Sequence, residues 1–361
     1  MGQVVLVTGA AGDLGRRYVA QLSHAPGIDR VIGVDVVPPR GDLGHADFVR
    51  ADIRNPVIAK VIVRERVDTV VHASVVATPA AAGGRTSMKE LNVIGTMQLL
   101  AACQQAPDLR KLVVKSSASV YGASNRDPAM FTEGMGAKRQ PSGGFAKDVT
   151  EVESYVRGFA RRRPDVAVTT LRMANVIGPR IVSAMTGYFR LPVIPTVLGF
   201  NPRMQFVHED DALDVLQHAT TGEATGTYNV AGDQIITLRQ AVRRLGRPSI
   251  PLPSFAISTF GSTIRQTRVA DFSPEQVAFL TFGRGMDTTR MRSVLGFEPK
   301  YNTPDAFADF AASVAPGLLN ADRVRATEDV LVGALSRSET KPAVTKPSVI
   351  EQSTTGGEPR G

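Results

Sequence analysis

The feature that most constrains this 361-residue chain lies in its first fifteen residues. Val4-Val5-Leu6-Val7 is an apolar run of strand length. Thr8-Gly9-Ala10-Ala11-Gly12-Asp13-Leu14-Gly15 follows at once and opens into the amphipathic stretch Arg16 to Leu22. Glycines at Gly9, Gly12 and Gly15 permit a tight turn, let the backbone approach a pyrophosphate, and allow close packing of helix on strand. The helix start supplies free N–H groups and the positive end of its dipole. Such glycines also occur in plain turns, but the strand-turn-helix setting is the one that dinucleotide binding needs. Asp13 sits awkwardly here, because an acid in a phosphate loop weakens anion binding unless its side chain turns to solvent.

The strand-helix rhythm continues. Apolar runs at Val31 to Val34, Thr69 to His72, Leu112 to Lys115 and Val166 to Leu171 read as strands, and Ile58 to Arg66, Leu91 to Cys103 and Ala146 to Arg163 read as helices. Each buried parallel strand needs a crossover helix to return, so the pattern predicts an α/β fold, a Rossmann doubly wound parallel sheet with a smaller C-terminal substrate lobe. The expected division is a nucleotide-binding domain at 1–180, a partly interleaved substrate lobe at 181–314, a helical extension at 315–335 and a disordered tail at 336–361. Pro179, Pro192 and Pro195 break the rhythm where the lobe begins, and Asp210 to His218 and Leu238 to Leu245 read as its helices. The tail holds Ser, Thr, Pro, Lys, Glu and Gly with few large apolar groups, too little to offset ordering.

The second strand ends at Asp35, twenty residues past Gly15. An acid there can accept hydrogen bonds from the adenosine ribose hydroxyls and repels a 2′-phosphate, which favours NAD over NADP. The alternative is that Asp35 caps a turn before Pro38-Pro39. Cys103 is the sole cysteine, which excludes an internal disulfide and a multi-cysteine metal site. No His, Cys or carboxylate cluster has metal-ligand spacing, so no metal is expected, and no Ser-His-Asp order suggests a hydrolase. No apolar run is long enough to span a bilayer and no targeting segment is evident, so a cytoplasmic protein without membrane insertion is expected. The formal charge of +8 invites an anionic partner. Its densest run, Arg161-Arg162-Arg163, ends a helix, where cations offset the dipole. With 6% aromatics and no Trp there is little stacking surface, so the expected partner is a small molecule rather than a nucleic acid.

Beyond the glycine loop stand Ala51-Asp52-Ile53-Arg54, Val71-His72-Ala73-Ser74, Asn92-Val93-Ile94-Gly95-Thr96 and Ser116-Ser117-Ala118-Ser119-Val120-Tyr121-Gly122. Further on come Leu171 to Pro179, Phe206-Val207-His208 with Asp211, Tyr228-Asn229-Val230, and Asp287 to Arg290 with Leu295-Gly296-Phe297. Together, over roughly residues 3 to 310, these resemble the extended short-chain dehydrogenase/reductases, and within them the NAD-dependent epimerase/dehydratase family, whose familiar member is UDP-glucose 4-epimerase. The resemblance implies NAD as cofactor and a nucleotide sugar as substrate. It implies that Gly9, Gly12, Asp13, Leu14 and Gly15 lie at the pyrophosphate, Asp35 at the adenosine ribose, Asp52 and Ile53 beside adenine, Ala73 along the cofactor and Asn175 near the nicotinamide. Ser117 matches the serine that hydrogen-bonds the reacting sugar hydroxyl; it could equally be a strand-end hydroxyl satisfied by backbone.

In this family a helix-borne Tyr follows, with Lys four residues on. The tyrosinate takes the hydroxyl proton as hydride passes to the nicotinamide, and the lysine lowers the tyrosine pKa and holds the nicotinamide ribose. The matching segment here places Phe145 at the tyrosine and Val149 at the lysine. Lys147 is about 200° around the helix from Phe145, and Tyr155 about 15 Å along it, so neither substitutes. Tyr121 is the remaining candidate acid, or else lines the pocket. Candidate anion grips are Arg180, Arg203, Arg290 and Arg292, since guanidinium forks suit phosphate oxygens; each could also be plain surface charge. His208 reads as structural. By resemblance the helices carrying Leu99 and Leu100, and Val149, Val152 and Val156, form a four-helix bundle in a homodimer, although these residues could also face the sheet. Two functions stay open: an epimerase, dehydratase or oxidoreductase with a diverged acid-base apparatus, and a non-catalytic NAD-dependent sensor or scaffold.

Overall fold

The computed structural model describes residues 2–78, 82–141, 143–253, 256 and 273–314; the extension expected at 315–335 and the tail expected at 336–361 lie outside the described residues. Strand β1 (Gln3–Thr8) leads through the glycine loop into helix α1 (Asp13–Leu22), then β2 (Ile28–Asp35), β3 (Asp47–Arg50), α2 (Val57–Arg64) and β4 (Thr69–His72). Helix α3 (Arg85–Lys89) passes through a π-helical turn, Glu90–Ile94, into α4 (Gly95–Gln105), and β5 (Lys111–Ser117) ends in a 3-10 turn, Ala118–Tyr121. Next come α5 (Gly144–Arg162), β6 (Ala167–Met173), β7 (Asn175–Ile177), α6 (Ala184–Phe189), β8 (Ile194–Val197), β9 (Arg203–Met204) and β10 (Phe206–His208). The chain continues with α7 (Glu209–Thr221), β11 (Gly226–Val230), β12 (Ile236–Thr237), α8 (Leu238–Leu245), β13 (Ser249–Leu252), α9 (Pro274–Phe282), α10 (Thr289–Ser293) and α11 (Thr303–Ser313).

Seven strands make one parallel sheet in the order β11-β6-β5-β4-β1-β2-β3. Strand order reverses at β1, which opens a crevice at the carboxyl ends of the strands beside it. Alternation along the strands sorts side chains to two faces. Val5, Val7, Val71, Val113 and Leu171 pack with Tyr18, Val19 and Leu22 of α1 and with Leu213 and Leu216 of α7. Leu6, Val70, Leu112 and Val114 pack with Ile58 and Ile62 of α2, Leu99 and Cys103 of α4, and Val152, Val156 and Phe159 of α5. Burying a Val or Leu side chain contributes about 1.5–3 kcal/mol, so these two faces dominate the stability of the sheet. Leu99, Leu100, Val149, Val152 and Val156 are all buried within the chain. They therefore face inward, and the exposed large apolar groups of the π turn, α4 and α5 are Ile94, Met97 and Tyr155.

A second apolar cluster joins Ile177, Tyr188, Phe189, Phe206, Leu238, Leu280, Phe307 and Phe310. Phe189 meets Phe307 edge-on at 5.0 Å between ring centres, and Phe206 stacks on Phe307 at 5.8 Å. Two-stranded pairings of β7 with β10, β8 with β13 and β9 with β12 frame it. Its helices start on side-chain caps, Ser183 for α6, Thr237 for α8 and Asn302 for α11. Two sequence expectations need correction. The single helix expected over Leu91 to Cys103 is α3, the π turn and α4 in succession. Strand β3 was not anticipated, because Asp47-Phe48-Val49-Arg50 is a four-residue edge strand whose outer residues are charged.

Candidate functional site

The glycine loop closes the crevice floor. Gly9 holds φ +82°, and a Cβ there would stand 2.8 Å from the Ser74 Cα, so only glycine fits. A Cβ on Gly15 would strike the Gly9 carbonyl. Helix α1 begins at Gly12 with no side-chain cap, which leaves its first N–H groups for a ligand. Asp13 lies at the rim, its side chain 44% exposed and 3.6 Å from Arg16, so it turns away from the loop as phosphate binding requires. Asp35 both caps and reaches inward: one oxygen accepts the Val36 N–H at 2.7 Å and the other the Ala11 N–H at 2.9 Å. Each oxygen keeps a further lone pair for a ribose hydroxyl. Asp52 is held by Arg54 at 2.6 Å, and the Arg54 hydrogen bond keeps its carboxyl below the usual range. Ile53 is buried against Gly95, where an added Cβ would come within 2.8 Å of the Ile53 Cδ1. The Ala73 N–H donates to Thr8 Oγ1 at 3.2 Å. Thr8 Oγ1 meets His72 Nδ1 at 2.9 Å, and His72 Nε2 meets Thr96 Oγ1 at 2.8 Å. Asn175 opens β7 opposite Phe206. The glycine cradle, the uncapped helix start and the acid at the β2 end fit a dinucleotide such as NAD.

At the β5 end, Ser117 Oγ accepts the Ser119 N–H at 3.2 Å and donates to Ser119 Oγ. Tyr121 is fully buried. Its hydroxyl donates to Asn229 Oδ1 at 2.7 Å and accepts from Arg172 at 2.8 Å. Arg172 is clamped by Glu153 at 2.7 Å, and Ser116 Oγ donates to the same carboxylate. Burial pushes the Tyr121 phenol up, against the opposing pull of Arg172. The phenol is thus committed to an internal network rather than presented to the crevice. Phe145 is partly buried against the α1/α7-side core, and Val149, one helical turn on, is fully buried in it beside Val120 and Tyr121. Lys147 points to solvent beside Glu151. Helix α5 begins without a cap of its own, and Glu275 accepts the Ala146 N–H there at 3.2 Å. Buried Asp148 binds Arg85 at 2.6 Å, and Asn92, projected from the π turn, holds the Val76 N–H and carbonyl at 2.8 and 2.9 Å.

The four candidate anion grips do not converge. Arg180 is engaged by Glu209 at 2.8 Å and Asp210 at 2.9 Å. Arg292 is engaged by Asp233 at 2.6 Å and Glu298 at 3.0 Å. Arg290 lies over the Tyr228 ring at 5.6 Å. Arg203 lines a cavity of about 190 Å³ bounded also by Ser124, Asp127, Phe131 and Arg284. His208 is structural, bonded to Asp309 at 3.0 Å and to the Asp210 N–H. Arg284, Glu275 and Lys115 carry charge at or near this region and were not singled out from sequence. Arg284 donates to the Gly122 carbonyl at 2.9 Å, and its burial lowers its pKa to about 10. Lys115 did leave a sequence signal: a cation inside an apolar strand, two residues before Ser117 and therefore on its face.

Residues 5–231 match the NAD dependent epimerase/dehydratase family. The chain belongs to that family, whose cofactor is NAD. An uncharacterized protein of Mycobacterium tuberculosis is 47% identical over 341 residues, covering 93% of this chain and 90% of that relative. Among solved structures, UDP-glucose 4-epimerase of Thermotoga maritima, with UDP-glucose, superposes with a TM-score of 0.67 at 18% identity, covering 86% of this chain and 98% of that one. UDP-glucuronic acid 4-epimerase of Bacillus cereus, with UDP-glucuronic acid and NAD, gives 0.66 at 18% identity, covering 86% and 99%. These structural likenesses bear on the fold. Among the described residues, no helix is long and apolar enough to cross a membrane and no His, Cys, Asp or Glu group could hold a metal.

Proposed function

We propose that this protein binds NAD across the carboxyl ends of β1 to β5 and a nucleotide sugar beside Ser117, and that its ordinary proton-transfer chemistry is lost. The observation that carries this is the face α5 turns to the β5 end, which offers Phe145 and buried Val149 in place of a phenol and an amine. When bound, NAD supplies a hydride acceptor. Ser117 orients a sugar hydroxyl, and Asp35 with the α1 start holds the adenosine side. Tyr121 is then a positioning residue, its hydroxyl already donating a hydrogen bond to Asn229 Oδ1. Of the four cations, Arg203 is the best placed for the sugar nucleotide's diphosphate, because Arg180 and Arg292 already hold two carboxylates each.

General acid-base catalysis contributes about 10² to 10⁴ in rate. The test is therefore a Phe145→Tyr/Val149→Lys double variant, loaded with NAD and given UDP-glucose. Sugar turnover about tenfold or more above the parent supports the reading. No gain, with NAD still bound, counts against these two positions. The apolar pair also favours the second reading, a sensor or scaffold whose conformation follows its NAD state; in that case proteolysis patterns differ between NAD- and NADH-loaded protein while turnover stays absent. We further propose a cytoplasmic homodimer, joined through the layer that exposes Ile94, Met97 and Tyr155. Sedimentation velocity reads it, and a monomer at micromolar concentration refutes it.

A further inference from the structure

Lys115 is an amine that the fold brings to the crevice and leaves unused. The register of the sheet fixes its height: Thr8 of β1 lies opposite His72 of β4, and His72 opposite Val114 of β5. Lys115 is therefore one residue beyond the ends of β1 and β4, level with the glycine loop and the Ala73-Ser74 segment. Strand alternation fixes its face. Val114 joins the α2/α4/α5 side and Val113 the α1/α7 side, so Lys115 shares the face of Val113 and Ser117, on the side from which α1 presents its N-terminus. Lys111, four residues earlier on that face, is consumed by the Thr220 and Gly222 carbonyls at the end of α7. Lys115 shows no hydrogen bond or ion pair among the described residues, and the residue is half-buried. Its burial lowers the amine pKa, and no carboxylate opposes that shift.

A desolvated cation without a partner is costly, and at this place a ligand can supply the partner. Resting on the NAD reading, the strand order says which part of the ligand. Asp35 ends β2 and Asp52 follows β3, so the adenosine half runs to that side of β1 and the nicotinamide half runs across β4 to β5. We propose that Lys115 binds the phosphate and ribose of the nicotinamide half of the cofactor, the task left without a cation by Val149 on α5.

The test is calorimetric titration of the full chain and of Lys115→Met with NADH, NAD and AMP. Methionine keeps the stem and removes the charge. The variant is expected to bind NADH about tenfold or more weakly than the parent, and AMP, which lacks the phosphate and ribose of the nicotinamide half, within about threefold. Because NADH carries one more negative charge than NAD, the loss is greater for NADH. A variant that binds NADH within about threefold of the parent overturns the inference alone, as does one weakened equally for AMP. A parent that binds none of the three overturns the NAD reading and this inference together. Should the variant misfold, the parent still decides: NADH is expected to protect Lys115 from acetylation, read by peptide mass spectrometry, and equal labelling with and without NADH overturns the assignment.

Discussion

His72 shows how far surroundings alone can change a residue's chemistry. It is buried between Thr8 and Thr96, and that burial, aided by the nearby Lys115 charge, lowers its pKa from 6.5 to about 4. Below pH 6.5 the unfolded chain takes up a proton that the folded chain refuses until about pH 4. Stability contributed by neutral His72 is therefore present above that window and lost as the pH falls through it, by about 3 kcal/mol over the whole shift. Urea unfolding at pH 7 and pH 4.5 measures this. His72→Gln, which cannot take up the proton, is expected to lose less stability between the two pH values than the parent, and parallel losses refute the assignment. Residues of the glycine loop were legible in the sequence because their role is local: Gly9, Gly12 and Gly15 must share one turn. The environments of His72 and Lys115 come from three strands that only the fold brings level, so spacing along the chain says nothing of them.

Between elements, the strongest polar tie binds α5 to the sheet. Glu153, buried on α5, accepts from Arg172 of β6 at 2.7 Å and from Ser116 of β5 at 2.6 Å, and Arg172 in turn donates to Tyr121. Removing one partner strands a buried charge, so Glu153→Ala is expected to cost about 3–5 kcal/mol. Replacing both, as Glu153→Leu with Arg172→Met, is expected to cost less than Glu153→Ala alone, because no buried charge is left without its counterion. Equilibrium urea denaturation of the parent, Glu153→Ala, Glu153→Leu, Arg172→Met and the double variant decides, and a double variant costing as much as the two single changes Glu153→Leu and Arg172→Met summed would show that the groups act independently. Elements with a clean apolar period were legible: α8 begins and ends where its pattern does, at Leu238 and Leu245. The π turn was not, because its residues keep an apolar pattern while its ladder shifts, and its function is to aim Asn92 at Val76. The Arg85–Asp148 and Glu153–Arg172 pairs were equally hidden, since neither partner has a local signal and each pair joins distant segments.

At the scale of the whole molecule the question is whether the sheet and the second apolar cluster unfold together. The chain passes from β6 to β7 across Ala174 alone, so one segment belongs to both. Phe131 and Met286 form a bridge, and Asn229 at the sheet edge donates to the Phe131 and Asp287 carbonyls at 2.9 and 3.0 Å. Arg284 ties the second cluster back to Gly122 behind the β5 turn. These links cross the boundary at the crevice rim, so a ligand held at the glycine loop should protect both parts even though it touches chiefly the first. A ligand at 100 times its Kd stabilises by about 2.7 kcal/mol, which at this chain length raises Tm by roughly 3–5 °C. Scanning calorimetry with NAD is therefore expected to show one transition that moves upward as a whole. Two transitions, with only one of them shifted by NAD, would mean that the Phe131, Asn229 and Arg284 contacts do not couple the lobe to the sheet, and that cofactor state stays confined to the nucleotide-binding part.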